Sequence, residues 1–180
     1  MVRPIDFFRR YVVAVLMLVL LVGVARPSAG QTQDERLAER IAESVRQYAH
    51  FGIFDDVTFQ VDNRSVILGG RVTMPYKKDD LVERIRKIDG IRDLTVTMEV
   101  LPVSISDSEL RDRLARAIYG HPSFRHYASM VNPPIHLIVE RGRVTLTGAV
   151  SSEVEKVLAY SLASQIPGAF SVTNLLRVDR

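Results

Sequence analysis

The chain has 180 residues, no cysteine and a sequence pI of about 9.4. The lack of cysteine excludes disulfides, thiol catalysis and cysteine metal sites. Four of the 24 Lys and Arg residues and one of the 21 Asp and Glu residues lie in residues 1–30, so the remainder carries 20 of each and no net charge. This balance gives no support for a nucleic-acid partner, which would favour a basic excess.

Residues 1–30 have the order of a secretory signal peptide. Arg9 and Arg10 precede an uncharged stretch from Tyr11 to Ala25, and small residues follow it. This stretch is short for a membrane span of about 20 residues. We therefore predict export to the periplasm, with membrane association there left open. The alternative is an uncleaved anchor, for which Arg26 would be the stop.

The rest of the chain contains an internal repeat. SVILGGRV at Ser65–Val72 matches RVTLTGAV at Arg143–Val150 with an offset of 78 residues, which places Gly70 on Gly148. Upstream the offset is 73, so the second copy has five extra residues before its first strand. We predict two modules, residues 34–102 (module 1) and residues 103–180 (module 2).

Each module is predicted to begin with a helix. Thr32-x-x-Glu35 and Ser106-x-x-Glu109 have the spacing of capping boxes, in which the hydroxyl and the carboxylate each bind a main-chain N–H. Apolar residues four apart follow both of them, as expected for a helix that buries one stripe.

A hairpin follows each first helix. Val57, Phe59 and Val61 alternate with polar residues, and the same alternation continues from Val66 to Val72. Module 2 repeats the pattern on either side of Arg141-Gly142. Asn63 in the first turn and Gly142 in the second can adopt the positive φ that a tight hairpin turn requires.

A second helix and a closing strand complete each module. The apolar residues assigned to the second helices are Leu81, Val82, Ile85 and Ile88 in module 1, and Val154, Val157, Leu158, Leu162 and Ile166 in module 2. Gly90 and Gly168 are predicted to end these helices in a left-handed conformation. The predicted fold is α+β, with two tandem αββαβ modules, each with two helices on one face of a three-stranded mixed sheet.

This duplicated pattern resembles the BON domain family of bacterial envelope proteins. The resemblance lies in the two hairpins that end in Val-x-Leu-x-Gly-x-Val, at Val66–Val72 and at Val144–Val150, in Pro167-Gly168, and in the run Val172–Leu175. It extends to tandem members such as the osmotically inducible periplasmic proteins. The resemblance implies a periplasmic or outer-membrane-associated protein that supports envelope integrity or stress tolerance, and some members bind phospholipid.

No pattern of catalytic residues is found. The sequence has no Gly-x-Ser-x-Gly elbow, phosphate loop or zinc-helix motif, so we predict a protein that is not an enzyme and has no cofactor. His121, His126 and His136 all lie in module 2, but the loop from His121 to Pro134 has no acidic residue to complete a metal site. We predict no metal.

The segment Pro122–Pro134 could instead bind a membrane surface. Phe124, Tyr127 and Met130 are spaced three apart beside the cationic Arg125, and rings next to guanidinium groups suit the interface of an anionic bilayer. The alternative is that these apolar side chains cover the sheet edge and complete a small core.

Charge also points to module 2. Residues 34–102 hold 11 basic and 13 acidic residues, whereas residues 103–180 hold nine and seven. The first helix of module 2 carries three arginines, although a solvated helix face is the simpler interpretation. The predicted lipid-binding residues are Arg111, Arg113, Arg116, Phe124, Arg125 and Tyr127.

We therefore predict a non-enzymatic envelope protein that binds an anionic phospholipid surface through module 2. The alternative is a periplasmic adaptor or chaperone-like protein that binds protein or peptidoglycan. Ile67, Ile138 and Leu175 are predicted to lie on the sheet faces opposite the helices, where they would either join the modules or meet a partner. Because modules of about 70 residues are marginal alone, we expect a compact pair.

Overall fold

The computed structural model describes residues 32–179, which fall in a single compact unit, Thr32–Arg180, with two hydrophobic cores. The predicted signal peptide, residues 1–30, lies outside the described residues. The helices and strands of module 1 are α1 Gln33–Arg46, β1 Asp56–Asp62, β2 Ser65–Val72, α2 Pro75–Arg86, β3 Asp93–Val96 and β4 Glu99–Val100.

Module 2 repeats this order with two short helical turns inserted before its first strand. Its elements are α3 Ile105–Tyr119, a 3-10 turn Pro122–Phe124, α4 Arg125–Ala128, β5 Ile135–Glu140, β6 Arg143–Val150, α5 Glu153–Ser164, β7 Ser171–Asn174 and β8 Arg177–Val178. The inserted turns account for the five extra residues seen in the sequence.

The two sheets have the same topology, and the predicted α+β class and tandem modules are confirmed. β1 pairs antiparallel with β2, and β2 pairs in parallel with both β3 and β4; β5 to β8 repeat this arrangement. The structure refines one detail, because the closing strand is split in two. Thr97 and Leu175 lie at the two breaks, and their N–H groups donate to Leu68 and Leu146 across the gap.

The two first helices begin differently from one another. At α1 the predicted capping box is present, with Glu35 N donating to Thr32 Oγ1 at 3.2 Å and Thr32 N donating to Glu35 Oε2 at 2.7 Å. The predicted box at Ser106 is wrong. α3 begins two residues earlier, because the extended Ser104 accepts the N–H of Asp107 and caps the helix.

An acidic residue in each first helix holds the hairpin turn. Both carboxylate oxygens of Asp34 accept the main-chain N–H groups of Asn63–Arg64, at 2.8 and 3.0 Å. Asp107 holds Arg141–Gly142 in the same way, at 2.8 Å for both bonds. All four turn residues have positive φ, which confirms the predicted tight turns and aims their N–H groups at one acceptor.

Glycine is required at the repeated hairpin position, because the backbone of the neighbouring strand approaches it closely. Gly70 has φ of 113°, and a Cβ there would lie 2.1 Å from the carbonyl oxygen of Asp56. Gly148 has φ of 99°, and its Cβ would lie 1.9 Å from the carbonyl oxygen of Pro134. Neither position accepts a side chain, so the repeat keeps glycine at both.

Each core lies between the helix pair and one sheet face. Leu37, Ile41, Leu68 and Ile85 are among the buried residues of the first core. In the second core Leu114, Ile118 and Leu146 are joined by Phe124 and Tyr127 from the inserted turns. The inserted turns therefore contribute to packing in module 2.

Candidate functional site

The structure places three of the six predicted lipid-binding residues in the interior. Phe124 is fully buried, and its ring stacks on that of the buried Tyr127 with centroids 6.3 Å apart. The hydroxyl of Tyr127 donates to Glu155 Oε2 at 2.9 Å and accepts the N–H of Ser151. The packing alternative therefore describes these two residues, and neither side chain can reach a bilayer from this position.

Arg111 is also buried, which removes it from the predicted contact. Its Nη2 donates to the carbonyl oxygen of Val139 at 2.7 Å, and its Nε has no hydrogen-bond partner. Burial lowers the pKa of this guanidinium, and the negative charges of Asp107 and Asp55 oppose the shift. Burial next to an edge strand gives Arg111 a structural position, in place of the surface position that we predicted.

The other three predicted arginines remain accessible. Arg116 and Arg125 are exposed. Arg113 is partly exposed and lies 3.7 Å from Glu109, with Nη1 directed at Oε2 of that carboxylate. The prediction thus retains three cations on the surface of module 2 and loses the two aromatic groups that were to accompany them.

Apolar side chains are nevertheless exposed on module 2, along its second helix. Along α5, 76% of Val154, 63% of Val157 and 45% of Tyr160 are exposed. The side chains that α5 buries completely are Ala159 and Ala163. Val154 and Val157 lie on the predicted helix but outside the core, because small residues occupy the positions against the sheet. We call Val154, Val157 and Tyr160 the α5 face.

Module 1 has no such face. With the offset of 78 residues, Tyr76, Asp79 and Val82 of α2 correspond to the α5 face. Tyr76 is 49% exposed, but Asp79 is charged and Val82 is half-buried, and the remaining exposed surface of α2 includes Glu83 and Arg86. An apolar outer helix is therefore a property of module 2 alone.

Cationic groups lie on the helix beside the α5 face. α3 packs against α5 on the same side of the sheet and carries the exposed Arg116. The same helix also exposes Glu109 and Asp112, so this helical layer has a mixed charge. The layer combines apolar side chains with dispersed charges, the composition of an interfacial surface.

The two modules contact each other directly. Leu137 N of β5 donates to the carbonyl oxygen of Ile53 at 2.7 Å, and Thr147 Oγ1 donates to Asp56 Oδ1 at 2.9 Å. Ile53 and Phe54 of module 1 also pack against the core of module 2. Together with the single compact unit, these contacts confirm the expected compact pair.

The outward sheet residues fall into two groups. Ile138 is only 2% exposed and lies in a groove of about 270 Å³ whose walls come from both modules. Ile67 and Leu175 stay exposed. Of the two roles open to these residues, Ile138 therefore serves the contact between modules.

The three histidines of module 2 lie in separate environments. His121 Nδ1 accepts the N–H of Ser123, and the ring of His126 lies against Tyr127. His136 contacts Phe51 across the module contact, with ring centroids 5.1 Å apart, and its buried Nδ1 has no hydrogen-bond partner. Burial lowers the pKa of His136, while the carboxylates of Asp56 and Asp55 act against this shift.

Sequence reasoning missed a buried ion pair in module 1. Asp55 is fully buried and accepts hydrogen bonds from Thr73 N and Oγ1 at 2.8 Å, from Gly52 N at 3.0 Å and from Lys77 Nζ at 2.6 Å. No local pattern marks this pair, because the two residues are 22 positions apart and each has a charged neighbour of the same sign.

Comparison with known proteins now assigns the fold. The BON domain model matches residues 33–102 and again residues 106–180. The chain belongs to the BON domain family. The resemblance noted in the sequence is confirmed, and the BON family supports an envelope-associated, non-catalytic role. Within residues 32–179, helices of the length and apolar character needed to cross a membrane do not occur.

More distant structures resemble this tandem BON chain only loosely. One is CdsD, a structural protein of the type III secretion system of Chlamydia trachomatis, at 12% identity and a TM-score of 0.31, covering 81% of this chain and 94% of CdsD. A second structure, the C-terminal domain of CdsD, has 13% identity and a TM-score of 0.29, with 84% and 100% covered. A search of curated proteins finds no match.

Proposed function

We propose that this BON protein is a non-enzymatic component of the periplasm that binds anionic phospholipid surfaces through module 2 and supports envelope integrity under stress. The observation that carries the proposal is the α5 face, three apolar side chains exposed along one side of a helix. Large exposed apolar groups in a cluster are costly in water and mark a contact surface.

The chemistry of the α5 face suits the boundary between headgroups and acyl chains. Val154 and Val157 would enter the apolar zone, and the phenol of Tyr160 would remain at headgroup depth, where amphipathic rings are favoured. Arg113 and Arg116 on the neighbouring helix, together with Arg125, would pair with lipid phosphates. In this mechanism the buried Phe124 and Tyr127 hold the inserted turns against the core, Arg111 binds the edge of β5, and none of the three contacts lipid.

Liposome sedimentation tests this function. The purified protein is mixed with phosphatidylcholine vesicles that contain or lack phosphatidylglycerol, at low and at physiological salt. We expect binding only to the anionic vesicles, with weaker binding as salt rises. A double substitution V154S/V157S should reduce binding more than tenfold, because it removes the apolar contact while leaving every charge in place.

Two matched variants control this experiment. Tyr76→Ser alters the position of module 1 that corresponds to Val154 and should leave binding unchanged. Arg116→Ala should weaken binding to anionic vesicles, whereas Arg36→Ala, an exposed arginine on α1 of module 1, should have no effect. Equal binding to neutral and anionic vesicles, or no binding at low salt, would contradict the proposal.

The adaptor function remains a second candidate because Ile67 and Leu175 are exposed on the sheet faces opposite the helices. An adaptor would contact its partner protein through these residues. Affinity purification from envelope extract distinguishes the two. Recovery of a single protein that is lost on Leu175→Asp and unaffected by added lipid would favour the adaptor, whereas V154S/V157S should not alter that recovery.

A further inference from the structure

The first strand of each module is an edge strand, and in module 2 that edge is protected. Along β5, the outward carbonyl of Ile135 accepts the hydroxyl of Tyr119, and the outward carbonyl of Val139 accepts Arg111 Nη2. Between them, Leu137 N donates to Ile53 of module 1. At each of three successive outward residues of this edge, one main-chain group is therefore hydrogen-bonded, and natural sheets commonly cover edges that would otherwise bind another strand.

The corresponding edge in module 1 lacks this protection. Val57, Phe59 and Val61 of β1 match the three outward residues of β5 at the offset of 78, and both hairpins have the same register. Among residues 32–179, no hydrogen bond is found to the outward main-chain groups of these three residues. Within the part of the chain that the structure describes, the edge of β1 is therefore unpaired from Val57 to Val61.

Two substitutions between the modules explain the difference. At the helix offset of 73, Ala38 occupies the place of Arg111, and Arg46 occupies the place of Tyr119. Ala38 has no donor, and Arg46 binds Glu43 of its own helix at 2.6 Å. Helix α1 therefore cannot cover the edge of β1 as α3 covers that of β5.

Module 2 carries a counterpart of the segment that covers β5, and the Asn132 side chain ties it to module 1 of the same chain by donating to the carbonyl oxygen of Arg46 at 3.1 Å. Ile53, which supplies the acceptor for Leu137, corresponds to Val131 in module 2 at the offset of 78. Val131 is 97% exposed, and the adjacent Met130 is 46% exposed. One molecule thus has an open edge in module 1 and an exposed apolar segment in module 2. Their counterparts, the β5 edge and the segment at Ile53, bind each other in the contact between the two modules.

We propose that the segment around Val131 of one copy of this chain binds the open β1 edge of a second copy. In this contact Phe59 N donates to the carbonyl oxygen of Val131, as Leu137 N donates to Ile53 within one chain. The two surfaces differ, so the contact is head-to-tail and each bound copy offers a new open edge to the next. The result is a linear assembly that continues the order of modules from chain to chain.

Charge is complementary between the two surfaces. β1 begins at Asp56 and ends at the exposed Asp62, and the exposed side chains between them, Thr58 and Gln60, are neutral. The loop that carries Val131, residues 121–134, has the exposed Arg125 and no acidic residue. Arg125 can therefore meet Asp62, the edge carboxylate that stays exposed while Asp56 accepts Thr147 Oγ1 within the chain, whereas antiparallel pairing of two β1 edges would bring Asp62 of one copy near Asp56 of the other.

Sedimentation velocity over a range of concentrations tests the assembly with the purified protein. We expect the wild-type protein to form dimers and longer species as its concentration rises. Val131→Asp should block the segment, and T58K/Q60K should block the edge, because charges on an edge strand oppose pairing and these lysines also repel Arg125. Each variant alone should associate at least about tenfold more weakly.

Mixing the two variants is the decisive arm. The Val131→Asp chain keeps an intact edge and the T58K/Q60K chain keeps an intact segment, so the mixture should form dimers that grow no further. Val103→Asp is the matched control, because Val103 is also 97% exposed but lies between the modules; it should leave association unchanged.

Three results would overturn the proposal. One is a wild-type protein that stays monomeric at every concentration, and another is a mixture that forms no dimer although both variants retain the wild-type circular dichroism spectrum. The third is continued self-association of Val131→Asp, which would point to pairing between two β1 edges. None of these results depends on lipid, so they test the assembly independently of the proposed phospholipid binding.

Discussion

Modules 1 and 2 each fasten the start of the second helix to the sheet through one carboxylate, but the carboxylate comes from a different place. In module 1, Asp55 before β1 holds Thr73 and Lys77. In module 2, Glu155 lies at the position of Lys77 and holds Ser151, the counterpart of Thr73, with a further bond from Tyr127. Both modules thus keep a carboxylate acceptor at this junction. The position that carries Lys77 in module 1 carries the carboxylate itself, Glu155, in module 2.

The two carboxylates differ in how deeply they are buried. Asp55 is fully enclosed and its partner Lys77 is largely enclosed, so both charges depend on each other. Glu155 remains partly exposed. Burial alone would raise the pKa of Glu155, but hydrogen bonds from Ser151 and Tyr127 outweigh it and lower that pKa. The comparison indicates that the stability of module 1 depends strongly on the Asp55–Lys77 ion pair, whereas the stability of module 2 depends less on Glu155.

Removal of the two carboxylates should have the largest effect and the clearest asymmetry. Asp55→Ala leaves Lys77 without its counter-charge and should cost about 3–5 kcal/mol of unfolding free energy. Glu155→Ala exposes its former donors to water and should cost about 1 kcal/mol. Urea denaturation measures both, and equal losses would show that burial does not control the difference.

The carboxylates that hold the hairpin turns should show a smaller asymmetry in the other direction. Asp107 is buried and Asp34 is partly exposed, although each accepts the same pair of turn N–H groups. Asp107→Ala should cost about 2–3 kcal/mol, because Gly142 N stays buried without a partner, and Asp34→Ala about 1 kcal/mol. Asp107→Asn, which keeps one acceptor, should fall between them in the same denaturation assay.

The smallest effect should be a pH dependence of the contact between the modules. The pKa of His136 is lowered in the folded protein, so the contact favours the neutral ring, and its full stability is present above the ordinary imidazole pKa of about 6.5. That stability should fall as the pH drops below this value, until the lowered pKa of His136 has been passed. The protection factor of Leu137 N, whose hydrogen bond crosses the contact, should decrease in this range once the intrinsic pH dependence of amide exchange is divided out.

Two variants sharpen the pH prediction. His136→Phe keeps an aromatic contact with Phe51 and should abolish the pH dependence of this protection factor, whereas His126→Gln, on the exposed α4, should preserve it. The charged groups that face His136 are Asp55 and Asp56, and both favour the protonated ring. An unchanged pH dependence in His136→Phe would contradict the assignment of this titration to His136.

Much of the fold followed from local patterns in the sequence. Alternating aliphatics located both hairpins, the left-handed turns lay where Asn63 and Gly142 occur, and the repeat offset gave the order of the elements. These features depend on neighbours in sequence, so a pattern of a few residues is sufficient. The α1 capping box belongs to the same class.

The candidate site was harder to predict, because it depends on how each helix is rotated against its sheet. Arg111 and Arg113 lie on one helix, yet only Arg111 turns into the protein, where β5 offers a free carbonyl. On α5 the large residues Val154 and Val157 face outward because Ala159 and Ala163 lie against the core. Both outcomes depend on contacts with distant strands, which periodicity does not encode.

Because Ile53 and Phe54 pack against the second core, module 2 depends on module 1 for part of its interior. Module 2 borrows these apolar side chains from module 1, whereas the core of module 1 is built from residues that precede position 99. A fragment that ends after β4 therefore keeps a complete interior, and a fragment that begins at α3 lacks part of its own. Because the N-terminal module is synthesised first, the donor of the missing side chains is already available when module 2 folds onto it.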